Sequence, residues 1–232
     1  MPFVPLAWML FALAAHGQQR DPDEVIAVVL GQEITVADAT RSEITGLIGD
    51  VLTRRFVEDN RLEPTEQELQ AFVAGSLRAQ RQARLGLERQ KVELETALEG
   101  VLSAERRESI QNSLVSVRAS IESLSASQPE DANALHAVAK VWVQRWKIFK
   151  ALYEEYGGRA HYQQAGIEPF DAVREFLEEQ EADGAFVILD PDYEDEFWHY
   201  WRNEEMHIFV PEGEERELIS TPWWLMKEAP DD

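Results

Sequence analysis

Hydrophobic residues near the start of the chain form a run that helical periodicity does not explain. Val25–Leu30 reads VIAVVL and is rich in β-branched residues, which favours a β-strand. Gly31–Gln32 can form a two-residue turn, and Glu33–Thr35 can return as a second short strand. Because an isolated hairpin is barely stable in water, it must pack on helices or pair with a later strand. The apolar run Ala185–Leu189 is the obvious partner.

Apolar residues then recur at spacings of three and four, which predicts a helix over about 36–60. Thr35 or Asp38 can cap the start of this helix. After a break at residues 60–64, Thr65 and Glu68 have the spacing of a capping box, which predicts the start of a second helix.

The next part of the chain is helical in pattern but poor in aromatic residues. The second helix extends to about residue 98, Gly100 interrupts the pattern, and a third helix covers about 103–124. Many Arg, Glu, Gln and Ser residues accompany the apolar positions. This composition is typical of a protruding antiparallel helical hairpin rather than of a core.

The composition changes at residue 133. Residues 133–156 form the most hydrophobic helical pattern of the chain, and a further helix is predicted over about 169–184. Between them, His161–Gly166 is expected to be a loop or a short helix. Asp190–Pro191 is a good cap and first-turn pair for another helix. The chain from Pro211 onward is expected to be irregular.

These elements predict a mainly α fold, a helical bundle with a long helical hairpin arm and a small β-clasp. The clasp consists of short strands near 25–35 and 185–189, which tie the two ends of the body together. The body covers 24–64 and 133–232, and the arm covers 65–128.

The first 17 residues are predicted to be a signal peptide. An apolar stretch from Phe3 to Ala15 has the length of a signal hydrophobic region and is short for a membrane span. Ala15 and Gly17 are small, which favours cleavage near Gly17 and a periplasmic or secreted protein. No Lys or Arg precedes the apolar stretch, so an uncleaved membrane anchor and a buried N-terminal helix remain alternatives. A membrane contact is expected only through such an anchor.

Charge excludes one class of partner. The 232 residues include 44 acidic and 22 basic ones, a net charge of −22, which opposes binding to the phosphates of nucleic acids. Asp190–Asp232 is the most acidic part. It is either a solvated surface or a segment that contacts the more basic stretch Gly75–Arg107 or a basic partner. The absence of cysteine excludes disulfides, thiol catalysis and Cys-based zinc sites.

The order of these elements resembles a known family. VIAVVLGQEITVADA, then a helix containing GLIGDVLTRRFVEDN, then RLEPTEQELQAFV, is similar to the N-terminal segment of SurA-type periplasmic chaperones and parvulin-linked foldases. Leu62, Pro64, Thr65, Glu66 and Glu68 match the family pattern at the second helix. The resemblance covers about residues 24–75, with the apolar helix over 138–156 as a closing element of the same module.

The resemblance implies binding of unfolded or partly folded exported chains, and in many members of the family prolyl isomerisation by a separate parvulin domain. Here a helical stretch, 65–124, replaces that domain, so no prolyl isomerase site is expected. The last 75 residues match no part of the chaperone module, so no function is transferred to them from the family.

Candidate chemistry outside this resemblance is sparse. His199 and His207 are expected to be surface residues rather than metal ligands, because a metal needs converging ligands at set distances. His161, with Tyr162–Gln164, could form a polar pocket, or it could simply fix a turn through hydrogen bonds. No serine-hydrolase, phosphate-binding or dinucleotide-binding motif is present in the sequence. No cofactor and no metal site is predicted.

Aromatic residues are the better clue to function. Stripes of aromatic residues at helical spacing usually belong to a core, but part of this set could instead line a groove that binds apolar segments of client chains. Trp223–Trp224 could cover such a groove when it is empty. The predicted groove residues are Trp142, Trp146, Phe149, Phe197, Trp198 and Trp201.

Three functions are compatible with these observations. The leading one is an exported chaperone-like protein that binds unfolded or partly folded polypeptides through apolar surface and has no catalytic activity. The second is a structural or assembly factor that holds one specific envelope partner through the helical arm. The third is an enzyme of unrecognised type that uses the loop His161–Gln164.

Overall fold

A three-stranded antiparallel sheet joins the start of the described chain to its last third. The structure is a computed structural model and describes residues 20–226, apart from 41–42, 101–102, 127–131 and residue 165. The sheet contains β1 (Val25–Val29), β2 (Gln32–Thr35) and β5 (Phe186–Ile188), in the order β2-β1-β5. Val28 pairs with Val187 in the β1–β5 ladder. The predicted β-clasp is therefore confirmed, and the signal segment 1–17 lies outside the described residues.

The turn between β1 and β2 lies one residue earlier than predicted. Leu30 and Gly31 are its central residues, with φ angles of +46° and +78°, and Val29 pairs with Gln32 across it. Two-residue hairpin turns with positive φ at both central residues match the right-handed twist of the strands, which accounts for the position of the turn at Leu30 and Gly31.

The predicted helix over 36–60 is divided into two. α1 (Val36–Ala39) follows a capping box made by Thr35 and Asp38, and buries no side chain. α2 (Ile44–Asn60) buries Ile44, Ile48 and Leu52 in the same core as β1. Val36 and Ala39 of α1 reach the edge of this core only in part, whereas α2 presents a continuous apolar face to it.

The arm predicted over 65–128 is an antiparallel hairpin of α3 (Glu66–Leu98) and α4 (Ala104–Ala126). Thr65 and Glu68 form the predicted capping box at the start of α3. With 33 residues and about 1.5 Å per residue, α3 is roughly 50 Å long. Its first turns belong to the body, where Leu69 and Phe72 pack in one apolar cluster with Trp224.

The second half of the chain contains more regular structure than the sequence predicted. His161–Gly166 was expected to be a loop or short helix, but it contributes to a β-hairpin of β3 (His161–Gln163) and β4 (Gly166–Glu168). An isolated bridge from His161 to Phe209 adds a third extended segment beside this hairpin. In the region after Pro211, which was expected to be irregular, the described residues up to 226 contain one short helix and a 3₁₀ turn, Trp223–Leu225. The remaining helices are α5 (Ala132–Tyr156), α6 (Phe170–Ala182), α7 (Pro191–Arg202) and α8 (Glu215–Ser220).

The main core lies between one face of the sheet and the helices α2, α5, α6 and α7. Ile26 and Val29 of β1 are fully buried, whereas Val187 of β5 points to solvent. The fold is thus mainly α, as predicted. Within the described part of the chain, no helix combines the length and the apolar character that crossing a bilayer requires.

Gly75 of α3 permits a close approach of the C-terminal segment, and its replacement is a direct test of the packing. A Cβ at this position would lie 2.5 Å from Cβ of Trp224, whereas one at Gly86 of the same helix would meet nothing within 4 Å. Both Gly→Ala changes improve helix propensity by about 1 kcal/mol. Gly86→Ala should therefore raise the free energy of unfolding, while overpacking in Gly75→Ala should lower it by about 1–3 kcal/mol.

Urea denaturation of the two variants, followed by tryptophan fluorescence, measures this difference. Equal stabilisation by both changes would show that Trp224 is not held against α3.

Candidate functional site

An open cleft of about 610 Å³ lies between α2 and α5. Val141, at its edge, is 67 % exposed, so the cleft opens to solvent. We call it the α2–α5 cleft. Its apolar lining comes from four helices: Phe56, Val141, Ile148, Phe149, Leu152, Val173, Phe176, Leu177, Phe197 and Trp201.

Small residues on α2 leave the space that forms this cleft. Thr45, Gly49 and Thr53 recur every fourth position and line it, while Ile48 and Leu52 point into the main core. A Cβ built at Gly49 would meet no atom within 4 Å. Since residues four apart share one helix face, the face of α2 toward α5 carries small side chains that leave the space between the two helices unfilled.

The six predicted groove residues fall into three groups. Phe149, Phe197 and Trp201 line the α2–α5 cleft. Phe197 and Trp201 are themselves buried, so they contribute to its floor rather than to its exposed rim. Trp142 and Trp146 line a second cleft of about 190 Å³ on the other side of α5. Trp198 is buried in the main core and lines neither cleft.

The C-terminal segment covers part of the aromatic surface around the second cleft. Trp224 is buried, with ring centroids 5.0 Å from Phe72 and 5.9 Å from Trp146. The Nε1 of Trp146 donates a hydrogen bond to the Ile219 carbonyl at 2.9 Å, and Arg78 donates one to the Trp224 carbonyl at 3.0 Å. That this segment leaves when a client binds stays a prediction.

Arg145 and Phe149 separate the two clefts, because both side chains line each of them. The guanidinium of Arg145 lies 4.9 Å from the Phe149 ring centroid. It also donates a hydrogen bond to Oε1 of Gln163 at 2.9 Å. A cation is thus held in place between two apolar surfaces.

A buried polar cluster closes one part of the α2–α5 cleft. Glu168 lines the cleft, and its carboxylate lies 2.8 Å from Nε2 of His161 and accepts a hydrogen bond from the Tyr200 hydroxyl at 2.8 Å. The Gln163 amide nitrogen donates to the same carboxylate. Burial, together with the charge of Glu168, raises the pKa of Tyr200 above its ordinary value, so the hydroxyl remains a donor at physiological pH.

The position of His161 favours the structural one of its two predicted roles. His161 is 2 % exposed, and it pairs with Glu168 across the β3–β4 hairpin. A histidine held by a carboxylate is one component of nucleophilic catalysis, but the base must also reach a nucleophile and a substrate. This imidazole is enclosed by Phe170, Tyr200 and His207, so the cluster serves to fix the hairpin beside the cleft.

The prediction that both His199 and His207 are surface residues is wrong for His207. His199 is exposed. The ring of His207, however, is half-buried, with its centroid 4.6 Å from those of both His161 and Phe170. The sequence spacing of eight could not indicate this, because the contact depends on the chain turning back after α7. Within the described ranges, no cluster of three potential metal ligands occurs.

A second charged network fixes the entry to the β3–β4 hairpin. The carboxylate of Asp171 accepts hydrogen bonds from the Arg159 amide and side chain at 2.8–2.9 Å. Glu204 also pairs with Arg159, at 2.8 Å. Burial of Asp171 opposes its ionisation, but the hydrogen bonds from Arg159 outweigh this effect and hold the pKa of Asp171 below its ordinary value.

The sequence reasoning missed the small residues of α2 and the role of Arg145. Thr45, Gly49 and Thr53 do carry a signal, because three small residues at helical spacing on one face of an amphipathic helix indicate missing volume. Arg145 carries none, since an arginine on a half-exposed helix is usually a solvated surface residue.

The Asp171–Arg159 interaction predicts a pH dependence of stability. Because the folded-state pKa of Asp171 is lowered, its ionised form stabilises the fold above the unfolded-state pKa of about 4. This contribution is lost as the pH falls through the folded-state pKa. Asp171→Asn should therefore cost about 1–3 kcal/mol of unfolding free energy at pH 7, and the difference from the wild type should shrink steadily below about pH 4.

Denaturant titrations from pH 7 to pH 2.5 measure this change. Asp195→Asn is a matched control, because the Asp195 side chain is exposed and should tolerate the change at every pH. A constant difference between Asp171→Asn and the wild type across this range would contradict the assignment.

No protein-family model matches this chain, and neither a curated protein nor a solved structure is significantly similar to it. The resemblance to SurA-type chaperones therefore rests on the sequence pattern of residues 24–75 and stays a prediction. A function must be argued from the site itself.

Proposed function

We propose that this protein is an exported, chaperone-like binding protein that holds apolar segments of unfolded or partly folded polypeptides in the α2–α5 cleft, without catalysis. The observation that carries the proposal is the cleft itself. It is open, its lining is dominated by aliphatic and aromatic side chains, and its volume is about 610 Å³. Burial of apolar client surface would supply the binding free energy.

The shape of the cleft favours a polypeptide segment over a compact small molecule. Its lining extends along α2 from Thr45 to Phe56 and along α5 from Lys140 to Leu152. At about 1.5 Å per helical residue, each wall is roughly 17 Å long. This length accommodates about three turns of a helix, or about five residues of an extended strand.

Charge and export pattern support the same function. A net charge of −22 would keep complexes with apolar clients soluble and would oppose nucleic-acid binding. The apolar stretch Phe3–Ala15, followed by small residues, is typical of a secretory signal. The clients would therefore be exported chains in the periplasm or outside the cell, in agreement with the resemblance to SurA-type chaperones.

The arm favours a second candidate, an assembly factor for one envelope partner. Beyond its base, α3 and α4 pack mainly on each other, with Ile110 and Leu114 buried between them. Large apolar side chains nevertheless remain exposed on the arm: Leu85 at 53 %, Val92 at 59 % and Val115 at 66 %. A specific partner could cover this surface.

Two glycines of α2 provide a matched test of the cleft. Gly49 lines the cleft and Gly46 does not, and a Cβ at either position would meet no atom within 4 Å. Gly49→Phe should fill the cleft and weaken binding of an apolar client peptide at least about 10-fold, since about 1.4 kcal/mol corresponds to that factor. Gly46→Phe should leave the affinity unchanged.

Fluorescence anisotropy with labelled apolar peptides, together with suppression of aggregation of two unrelated denatured proteins, measures both variants. If neither the wild type nor Gly46→Phe binds any of these clients, or if Gly49→Phe binds as well as they do, the cleft is not a client site. Capture of a single envelope partner that is lost in Val115→Asp but kept in Gly49→Phe would favour the assembly factor.

A further inference from the structure

Two cations line the α5 side of the α2–α5 cleft in a chain that has twice as many acidic as basic residues. Lys140 is exposed at the rim, and Arg145 is half-buried. In the part of the chain that the structure describes, neither side chain forms an ion pair within 4 Å. Among the described residues, the neutral Gln163 is the hydrogen-bond acceptor of the Arg145 guanidinium.

The environment of Arg145 makes a counter-charge more valuable there than on an open surface. Its guanidinium lies over Phe149, and apolar clefts lie on both sides of it. The Gln163 amide stands between Arg145 and the Glu168 carboxylate, so the guanidinium has no direct ion pair there, and a charge that has lost part of its water without such a pair is destabilising. Because opposite charges attract more strongly where water is partly excluded, a carboxylate arriving in the cleft would be stabilised by Arg145.

Acidic groups of the protein itself restrict where that carboxylate could lie. Glu168 already accepts hydrogen bonds from the polar cluster that surrounds it, and Asp50 is exposed on the α2 side. Both would repel a client carboxylate. A bound segment would therefore direct its acidic side chains toward α5 and its apolar side chains toward the interior of the cleft.

The spacing of the two cations favours side-chain carboxylates over a chain terminus. Lys140 and Arg145 are five residues apart on α5, which is about 7.5 Å along the helix axis. Acidic residues at i and i+4 of a helical segment are about 6 Å apart along its axis, and those at i and i+2 of a strand about 6.8 Å. A terminal carboxylate supplies one charge, whereas two side-chain carboxylates at this spacing supply one for each cation.

We propose that the α2–α5 cleft selects apolar client segments that carry acidic side chains, which pair with Arg145 and Lys140. This inference rests on the proposed function and names its substrate class. It assigns to a strongly acidic protein a preference for acidic amphipathic segments, opposite to the preference for basic clients that its net charge alone would produce by long-range attraction.

Three peptides of one amphipathic sequence, blocked at both ends, test this selection. They share all apolar positions, and two polar positions at i and i+4 are both Glu, both Gln or both Lys. Their dissociation constants are measured by fluorescence anisotropy at low salt with the wild type, Arg145→Gln, Arg145→Lys and Lys140→Gln. The wild type should bind the Glu peptide about 5- to 20-fold more tightly than the Gln peptide, and the Lys peptide least tightly.

Arg145→Gln should remove most of the Glu-over-Gln preference, measured as the ratio of the two dissociation constants, so that any change in packing common to both peptides cancels. A far-UV circular dichroism spectrum like that of the wild type checks that the variant is folded. Arg145→Lys should retain part of the preference, and Lys140→Gln should lose a smaller part, because Lys140 is more exposed than Arg145.

The possible failures are distinguishable. If the wild type binds none of the three peptides, the proposed function itself fails. If it binds all three equally, or the Lys peptide most tightly, the carboxylate selection is overturned while the client-binding cleft stands. A preference for Glu that persists in both Arg145→Gln and Lys140→Gln would also overturn it, because the preference would then arise elsewhere. A Gln-peptide affinity that falls together with the Glu-peptide affinity in Arg145→Gln would assign Arg145 to packing alone.

Discussion

The body of this protein depends on the pairing of β1 with a strand from the last third of the described chain. β1 is hydrogen-bonded on both edges, to β2 and to β5, and its residues Ile26 and Val29 are fully buried. Because a two-stranded ribbon has little stability of its own, β5 makes the sheet a surface on which helices can pack. α2, α6 and α7 each bury apolar side chains in the same core as this sheet. The sheet therefore holds in place most of the walls of the α2–α5 cleft.

The cleft exists because the large apolar residues of α2 face the core and its small residues face α5. Ile44, Ile48 and Leu52 pack in the core against the sheet, and the face toward α5 carries Thr45, Gly49 and Thr53, with the exposed Asp50 beside them, before Phe56. α5 in turn packs on its other side against the base of the arm and against Trp224. An apolar surface that neither helix covers is the result, and such surfaces in soluble proteins commonly mark binding sites.

Much of the architecture could be predicted from local patterns, and what could not be predicted depends on distant contacts. The β-clasp, the arm and α5 were predictable because each combines a clear periodicity with a cap or a turn signal, such as Thr65 with Glu68. The β3–β4 hairpin was not predictable, because His161 and Glu168 are polar residues that become buried only when Tyr200 from α7 completes their hydrogen bonds. Periodicity alone does not distinguish an enclosed polar cluster from a loop.

In the candidate site, too, some residues could be predicted from local patterns and others depend on distant contacts. Phe149, Phe197 and Trp201 were identified as groove residues, since aromatic residues at helical spacing must lie either in a core or along a groove. The sequence did not reveal that Trp198 lies in the core, away from both clefts, because its direction is set by how α7 packs on the sheet. The contribution of Arg145 was equally hidden. Its position between two clefts exists only once the C-terminal segment and α5 are packed together.

Photo-crosslinking from inside the cleft tests the central claim most directly. A photoreactive amino acid at position 53 faces the α2–α5 cleft, and one at position 92 lies on the exposed surface of the arm. Irradiation in the presence of an unfolded exported protein, followed by mass spectrometry, identifies which surface meets the client. The account predicts crosslinks from position 53 to apolar client segments and few from position 92. Crosslinks from position 92 with none from position 53 would contradict it and would assign binding to the arm.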